Sequence, residues 1–317
     1  MTTTSTASPA SPASNAGRAD RAGAAGRTRG SRRNVFKQGA GRQQHGGPLT
    51  YLILSVVALL SLFPLYFAIV AASTSQTRIA QTPPPLVPGG NLFTNLRAVW
   101  DLQGGTTLGT AMINSVIVAS AVTASTVLFA TFAGFAFAKL KFTGRNALLV
   151  FVIATIAVPP QISVIPLFQI IAKLHWTNQL QSVILPSLVT AFGVFFMRQY
   201  LVEALPDELL EAARMDGASS LRIVWHVVFP AARPAMAVLA MLTFVQSWND
   251  FLWPIIALST NGSPTLQVAL ASIGGGYTVN EAVVMAGAVI ATVPLLVAFA
   301  IFGKQIVGGV MQGALKG

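Results

Sequence analysis

Large apolar residues along this chain are concentrated in six segments that contain almost no charged side chains. Because a helix rises 1.5 Å per residue, about 20 such residues cross a hydrocarbon core roughly 30 Å thick. The pattern predicts an all-α integral membrane protein with six spans. They are expected at about residues 49–73, 113–138, 147–171, 180–197, 234–258 and 282–303.

Several of these segments contain proline, including Pro64, Pro159, Pro160, Pro186 and Pro254. A membrane helix tolerates proline where a neighbouring helix or a cavity satisfies the carbonyl group that proline leaves unpaired. We therefore expect the spans to pack together as a bundle rather than to serve as separate anchors.

Composition agrees with a lipid environment. Of 317 residues, 53% are hydrophobic and 9% are charged, whereas soluble domains carry about 25% charged residues. The absence of cysteine excludes disulfides, thiolate nucleophiles and thiolate metal sites. Neither His45 nor His175 has a carboxylate or a second histidine at ligand spacing, so no metal site is expected.

Residues 1–48 are rich in Ala, Ser, Gly, Thr and Arg, and hold eight basic residues against the single acid Asp20. With so few large apolar side chains, burial cannot offset the entropy of ordering, and a disordered segment is predicted. A basic cytoplasmic tail near anionic lipid accounts for this composition. An organellar transit peptide, which has a similar composition, is the alternative.

Basic residues are distributed unevenly between the loops that six spans define. Seventeen lie on the side that holds both termini and the loops after the second and fourth spans, and three lie on the other side. Since loops rich in Lys and Arg stay in the cytoplasm, both termini are predicted to be cytoplasmic. The net charge of +11 then reflects membrane topology, and no nucleic-acid partner is expected.

These predictions divide the chain into four parts. The tail at 1–48 is followed by the first span with an external loop at 49–108. A transmembrane core is expected at 109–303, and a cytoplasmic C-terminal tail at 304–317.

The largest predicted cytoplasmic loop, residues 199–233, has the pattern of two short helices. Pro206, followed by two acidic residues, is typical of a helix start, and Gly217 suits a left-handed helix end. A second short helix is predicted from about 220 to 228, ahead of Pro230. The two helices would be bent at Gly217 and held just outside the membrane.

This loop resembles the EAA loop of binding-protein-dependent ABC importer permeases. The resemblance rests on Glu211-Ala212-Ala213, on Gly217, and on Val227-x-Phe229-Pro230, where the usual pattern ends Ile-x-Leu-Pro. In that family the loop docks on an ATPase subunit. The resemblance therefore implies ATPase coupling through Glu211, Ala212, Ala213, Asp216, Gly217 and Pro230. An amphipathic loop lying on the membrane with a solvated Glu211 is the alternative.

Other stretches resemble the carbohydrate-uptake branch of these permeases. They are Asn114-Ser115, Ala136-Phe137-Ala138, Ser247-Trp248-Asn249-Asp250-Phe251, Met285-Ala286-Gly287-Ala288 and Gly313-Ala314-Leu315-Lys316-Gly317. The resemblance implies a six-helix type I ABC importer transmembrane domain in a bacterial-type plasma (inner) membrane, and a sugar or oligosaccharide as the solute.

The resemblance also implies the partners. They are two ATP-binding subunits, a second homologous permease and an extracytoplasmic solute-binding protein, within the lipid bilayer. No phosphate-binding loop of the form G-x-x-x-x-G-K-[S/T] occurs in the chain, so it is not expected to be an enzyme. ATP and Mg would be used by the partner ATPase, and no cofactor is expected on this chain.

Asp250 is the only acid expected within a span, in the outer half of the fifth. Ionisable groups at such depths usually face a cavity or a partner, and amides beside an aromatic ring suit a sugar. A solute pathway is accordingly predicted from Asn114, Gln246, Trp248, Asn249 and Asp250. Equally open is that Asp250 satisfies a helix contact or a nearby backbone, and that Asn114 is a cap or interface group.

Two other classes of membrane protein compete with this interpretation. A secondary transporter or channel often carries a buried ionisable network or duplicated, interrupted helices, and the sequence has neither an internal repeat nor a charge relay. An intramembrane protease needs paired acids, a Ser with a His, or a metal motif within the membrane. The secondary transporter or channel is the alternative that is kept.

Overall fold

A computed structural model of the chain describes residues 47–100, 107–258, 263–274 and 279–314, with side chains up to Gly303. Regular structure within these ranges is helical. The helices are α1 (Pro48–Ala72), α2 (Gln76–Ile79), α3 (Leu92–Trp100), α4 (Leu108–Lys139), α5 (Arg145–Ile156), α6 (Val164–Lys173), α7 (Gln181–Ile184), α8 (Ala191–Ala204), α9 (Asp207–Met215), α10 (Ser220–Ile223), α11 (Phe229–Trp248), α12 (Leu252–Ala257), α13 (Leu266–Gly274) and α14 (Glu281–Ala314). Two 3-10 turns, Pro160–Ser163 and Leu185–Ser187, and one π-helical turn, Val224–Val228, complete the described elements.

The chain divides into two units between Val56 and Val57, inside α1. The described part of the first unit is Gly47 with the opening turns of α1, where every side chain is exposed. The second unit holds the rest of α1 and all later helices.

Five described segments are long and apolar enough to cross a membrane: Pro48–Ala72, Leu108–Lys139, Gln181–Ala204, Ser220–Trp248 and Glu281–Gly303. A sixth results if the bent pair Arg145–Ile156 and Pro160–Lys173 counts as one span. The predicted all-α membrane architecture is confirmed. The side of the membrane on which each terminus lies stays a prediction.

The third predicted span is not one continuous helix, because its two parts meet at 92°. Pro159 and Pro160 lie at the bend, and neither has a backbone N–H to donate to the preceding turn. Val158, which precedes a proline, is also disfavoured in the α conformation. The chain therefore leaves α5 at Ile156 and continues as a 3-10 turn into α6.

The fifth predicted span, 234–258, was wrong at its C-terminal end. Helix α11 stops at Trp248, and α12 is a separate short helix. Pro254 explains the break, because it has no N–H for the carbonyl of Asp250 and its ring would crowd that carbonyl in a continuous helix.

The prediction that the loop's second helix ends before Pro230 was also wrong. From Ser220 the chain stays helical through the π turn Val224–Val228 into α11. In a regular helix the ring of Pro230 would crowd the carbonyl of His226. The wider π turn provides room at this position, and the helix continues past the proline.

The last predicted span, 282–303, agrees with the membrane-spanning segment Glu281–Gly303. Helix α14 continues past Gly303 to Ala314, so residues 304–314, predicted as a tail, are helical in backbone. This stretch contains no proline, and extending an existing helix needs no new nucleus. Of the predicted disordered tail at 1–48, only the last two residues are among those described. Residues 315–317 also lie outside the described residues.

The second unit is organised around α4, which packs against α8 and α11. A Cβ atom at Gly134 would lie 2.8 Å from the Cβ of Met197, so the glycine permits a close approach of α4 and α8. Three buried apolar clusters surround α4. One includes α8, α9 and α11, another α3, α13 and α14, and the third α6, α7 and α12.

Candidate functional site

Helix α9 is the first helix predicted for the loop 199–233, and it begins where the sequence indicated. Pro206 precedes its first turn with φ −61° and ψ 144°. Asp207 and Glu208 occupy the first turn, where the positive end of the helix dipole favours acidic side chains.

The same helix ends in a Schellman motif at Gly217, which adopts a left-handed φ of +75°. The N–H of Gly217 donates to the carbonyl of Arg214 at 3.0 Å, and the N–H of Ala218 donates to that of Ala213 at 3.0 Å. These two bonds satisfy carbonyls that a helix end otherwise leaves unpaired. The left-handed helix end predicted at Gly217 is confirmed.

One face of α9 is anchored and the other is open. Leu210, 3% exposed, packs into the cluster formed with α4, α8 and α11. Glu211, Ala212 and Asp216 are exposed, and Ala213 is half-buried. A carboxylate and a small side chain are thus presented on a helix whose position is fixed by its opposite face.

Large apolar side chains are exposed around this open face. Leu209, Met215, Leu221 and Trp225 are between 52% and 88% exposed. Leu209 and Met215 lie in α9, outside the membrane-spanning segments, where such exposure marks a surface that contacts another protein or a membrane.

An ion pair connects α9 to the end of α4. The Lys139 ammonium donates a hydrogen bond from Nζ to Oδ1 of Asp207 at 2.8 Å. This hydrogen bond, together with the charge of Lys139, holds the pKa of the Asp207 carboxyl below its usual range. The first turn of α9 is thereby joined to a helix long enough to span the membrane.

The π turn places an aromatic cluster, Phe132–Trp225–Phe229, beside Pro230. The rings of Trp225 and Phe229 are stacked with centroids 4.7 Å apart. Phe132 of α4 meets both rings edge-on, at 6.1 Å and 5.7 Å. This cluster joins the second half of the loop to α4, while Pro230 itself is exposed.

A cavity of about 590 Å³ lies between α4, α6, α7, α11 and α12. Its lining includes Gln161 and Ser163 from the 3-10 turn, Thr243 and Gln246 from α11, and Asp250. Gln161 and Gln246 are exposed, and within the described residues their amides have no hydrogen-bond partner. Since polar groups at membrane depth need a partner, the cavity suits a solute that forms hydrogen bonds.

Asp250 lies in the break between α11 and α12, at the wall of this cavity. The backbone N–H groups at the start of α12, those of Phe251, Leu252 and Trp253, lie close to its carboxyl group. Asp250 therefore borders the cavity and also lies beside nearby backbone donors, so both roles left open by the sequence remain compatible with its position.

The other three predicted pathway residues do not line the cavity. Trp248 is 1% exposed, and its Nε1 donates to the carbonyl of Ala291 at 3.1 Å. The Nδ2 of Asn114 donates to the carbonyl of Pro264 at 3.0 Å. Asn249 is exposed, with its Nδ2 donating to the carbonyl of Val245 at 2.8 Å.

Sequence reasoning missed Lys139 as the partner of Asp207, and it missed Gln161, Ser163 and Thr243 as cavity residues. A signal for two of them was present, since Gln161 and Ser163 directly follow Pro159-Pro160 inside an apolar segment. Polar residues at a helix break in a membrane are tolerated where the chain borders a cavity. Within the described ranges, no three His, Asp or Glu side chains come together as a group that could hold a metal ion.

A family described as the binding-protein-dependent transport system inner membrane component matches residues 126–310. The arabinooligosaccharides transport system permease protein AraQ of Halalkalibacterium halodurans is 32% identical, over 82% of this chain and 93% of its own length. The sn-glycerol-3-phosphate transport system permease protein UgpE of Yersinia pestis is 31% identical, over 83% of this chain and 95% of its own.

Solved structures give the same fold. A chain from a bacterial ABC transporter involved in the import of the acidic polysaccharide alginate is similar with a TM-score of 0.70 and 23% identity. The similarity covers 81% of this chain and 95% of that chain.

Proposed function

The chain belongs to the family of binding-protein-dependent transport system inner membrane components, and from this premise we propose that it is a permease of an ATP-driven importer of sugars or oligosaccharides. The carbohydrate solute is supported by the similarity to AraQ, which is described as transporting arabinooligosaccharides. It accords with a cavity whose lining includes the amides of Gln161 and Gln246.

The proposed complex contains this chain, a second homologous permease, two ATP-binding subunits and an extracytoplasmic solute-binding protein. ATP and Mg would be used by the ATP-binding subunits. Dependence on a binding protein follows from the family itself. Both termini would lie in the cytoplasm of a bacterial-type cell, which places α9 beside the ATPases.

The coupling role is supported by the difference between the two faces of α9. Leu210 fixes one face in the core, and Glu211 with Ala212 is open to a partner on the other. Closure of the ATPases on nucleotide would displace α9, and the Lys139–Asp207 pair and the aromatic cluster would pass this displacement to α4. The helices would then change between inward- and outward-facing states, to the extent that nucleotide binds one state more tightly.

The composition of the complex is tested by affinity purification from the native membrane in mild detergent, with the partners identified by mass spectrometry. Recovery of an ATPase, a second permease and a solute-binding protein supports the proposal. A chain recovered alone, under conditions that preserve other such complexes, would favour a secondary transporter or channel. Uptake that persists with ATP after all ion gradients are dissipated separates these classes directly.

Orientation is tested by labelling, because the chain contains no native cysteine. Thr77, between the first two spans, and Thr143, in the loop after α4, are both exposed. In intact cells stripped of any outer membrane, an impermeant thiol reagent should label Thr77→Cys and not Thr143→Cys. The reverse pattern would place α9 on the outer side and contradict the coupling role.

A further inference from the structure

The described lining of the cavity beside Asp250 lacks the positively charged side chains that an anionic solute requires. Among the described residues, its lining contains one carboxyl group, that of Asp250, and no Lys, Arg or His. The remaining polar lining residues are amides and hydroxyls, among them Gln161, Ser163, Thr243 and Gln246. We infer that this cavity binds neutral polyhydroxy solutes and rejects anionic ones such as sugar phosphates and uronates. The inference rests on the proposed function.

An anion in this cavity would lose water without gaining a cationic partner from the lining. Removing an ionised group from water is costly unless it is paired. Binding sites commonly reject one class of ligand by leaving the charge of that ligand unpaired. Asp250, the acid in the lining, gives an anion no cationic partner either.

A neutral polyhydroxy solute can form hydrogen bonds with amide side chains from two separate elements of the cavity wall. Gln161 reaches the cavity from the 3-10 turn before α6, and Gln246 reaches it from α11. Each free amide offers two donors and an acceptor, the combination that hydroxyl groups need. The indole of Trp253 also lines the cavity, and it is held in place because its Nε1 donates to the carbonyl of Ser182 at 3.0 Å. The volume of about 590 Å³ falls within the range of small-molecule sites.

A cation is a less suitable occupant than a neutral solute. The backbone N–H groups of Phe251, Leu252 and Trp253 lie close to the carboxyl group of Asp250. A ligand ammonium group would have to share the acceptor oxygens of Asp250 with these donors. The two curated relatives are described as transporting solutes of opposite kinds, arabinooligosaccharides and sn-glycerol 3-phosphate. The cavity selects the first kind for this chain.

The test uses the complete importer, purified with its partners and reconstituted in liposomes. ATP-driven uptake is measured for matched pairs: glycerol with sn-glycerol 3-phosphate, glucose with glucose 6-phosphate, and galactose with galacturonate. Arabinotriose and maltotriose represent neutral oligosaccharides. Uptake confined to neutral members is the expected result.

Uptake of an anionic member at a rate equal to its neutral counterpart would overturn the inference and leave the ATP-driven importer intact. Absence of ATP-driven uptake for every probe would instead contradict the proposed carbohydrate solute, and the inference with it. These two failures are therefore distinguishable.

Two variants test whether the cavity is the site. Gln161→Ala and Gln246→Ala should each raise the KM for the transported neutral solute about tenfold, the factor expected for one lost hydrogen bond. Glu281→Gln, on an exposed residue outside the cavity, is the control and should leave KM unchanged. An unchanged KM in both glutamine variants would overturn the assignment of the cavity.

Discussion

Lys139 and Asp207 are 68 residues apart in the chain, and their side chains meet at 2.8 Å. Lys139 is the last residue of α4, and Asp207 is the first residue of α9. The pair therefore joins a membrane-spanning helix to the helix that presents Glu211. Its position lets a displacement of α9 act on α4 without passing through the intervening chain.

Loss of this ion pair should lower the number of solute molecules imported per ATP. Lys139→Gln removes the hydrogen bond to Asp207, and we expect about a twofold fall in that ratio, because exposed ion pairs are individually weak. The ratio is measured in proteoliposomes from parallel uptake and phosphate-release assays. Lys141→Gln, which removes a nearby exposed charge without breaking the pair, is the control; an equal fall in both variants would assign the effect to net charge.

The same pair predicts how coupling depends on pH. Because Lys139 lowers the pKa of Asp207, the pair contributes above the unfolded pKa of about 3.9 and is lost as pH falls through the lower folded value. Between about pH 5 and 8 the ratio of uptake to ATP hydrolysis should not change through Asp207. A midpoint within this interval that Lys139→Gln abolishes would contradict the assignment.

Substitution of Gly217 should uncouple transport from ATP hydrolysis. Proline cannot adopt φ +75° and has no N–H for the carbonyl of Arg214, so Gly217→Pro destroys the helix end. Uptake should be lost while ATP hydrolysis continues. Unchanged coupling would refute the role of the bend.

A milder variant isolates backbone conformation from contact. A Cβ at Gly217 meets no atom within 4 Å, so Gly217→Ala introduces only the cost of a left-handed alanine, about 1–2 kcal/mol. Gly144 is a matched control, with φ +81° and equally open surroundings. Gly217→Ala should reduce coupling, whereas Gly144→Ala should not.

The aromatic cluster gives a further prediction. Trp225→Leu removes the stack on Phe229 and the contact with Phe132. Each aromatic pair contributes about 0.5–1.5 kcal/mol, so import per ATP should fall about two- to tenfold. Trp225→Phe keeps a ring at this position and should retain most of the coupling. If Trp225→Leu and Trp225→Phe lowered import per ATP equally, contact of the exposed indole edge with a partner would explain the role of Trp225 better than its stacking on Phe229.

The features of this site that depend only on residues close together in the sequence are the ones that the sequence predicts. The left-handed end at Gly217 requires only a residue without Cβ at the end of an apolar-periodic helix, and both are visible in the sequence. The apolar spans are similarly local, because their length follows from the thickness of the membrane. These features were predicted correctly.

The features that sequence missed depend on contacts between distant segments. Whether Pro230 ends a helix was decided by the π turn before it, which is packed against Phe132 of α4. Trp248 was expected in the solute pathway because it is close to Asp250 in the sequence and offers an aromatic face beside amides. Its indole instead packs towards α14, and no local pattern in the sequence specifies that direction. The pairing of Lys139 with Asp207 is likewise set by the packing of α4 against the loop.

Close packing of α4 on α8 predicts a stability effect at Gly134. A Cβ at this position would lie 2.8 Å from both the Cβ of Met197 and the backbone N of Arg198, and backbone cannot move aside. Gly134→Ala should destabilise by about 1–3 kcal/mol, the usual cost of overpacking. A lower midpoint of thermal unfolding in detergent would show it. Gly274→Ala, where a Cβ meets nothing within 4 Å, should not lower the midpoint, and equal behaviour of the two variants would contradict the close contact.

Asp250 provides the last prediction, because its two roles respond differently to two substitutions. Alanine removes the oxygens that lie close to the backbone N–H groups at the start of α12, whereas asparagine keeps one acceptor oxygen and removes the ionisable group. Asp250→Ala should impair uptake while the complex still assembles, as measured by copurification of the partners. Asp250→Asn should retain uptake of a neutral solute, because the cavity wall stays in place. Normal uptake by Asp250→Ala would remove Asp250 from the pathway, and equal impairment by both variants would mean that the charge itself, rather than the cavity wall, is required.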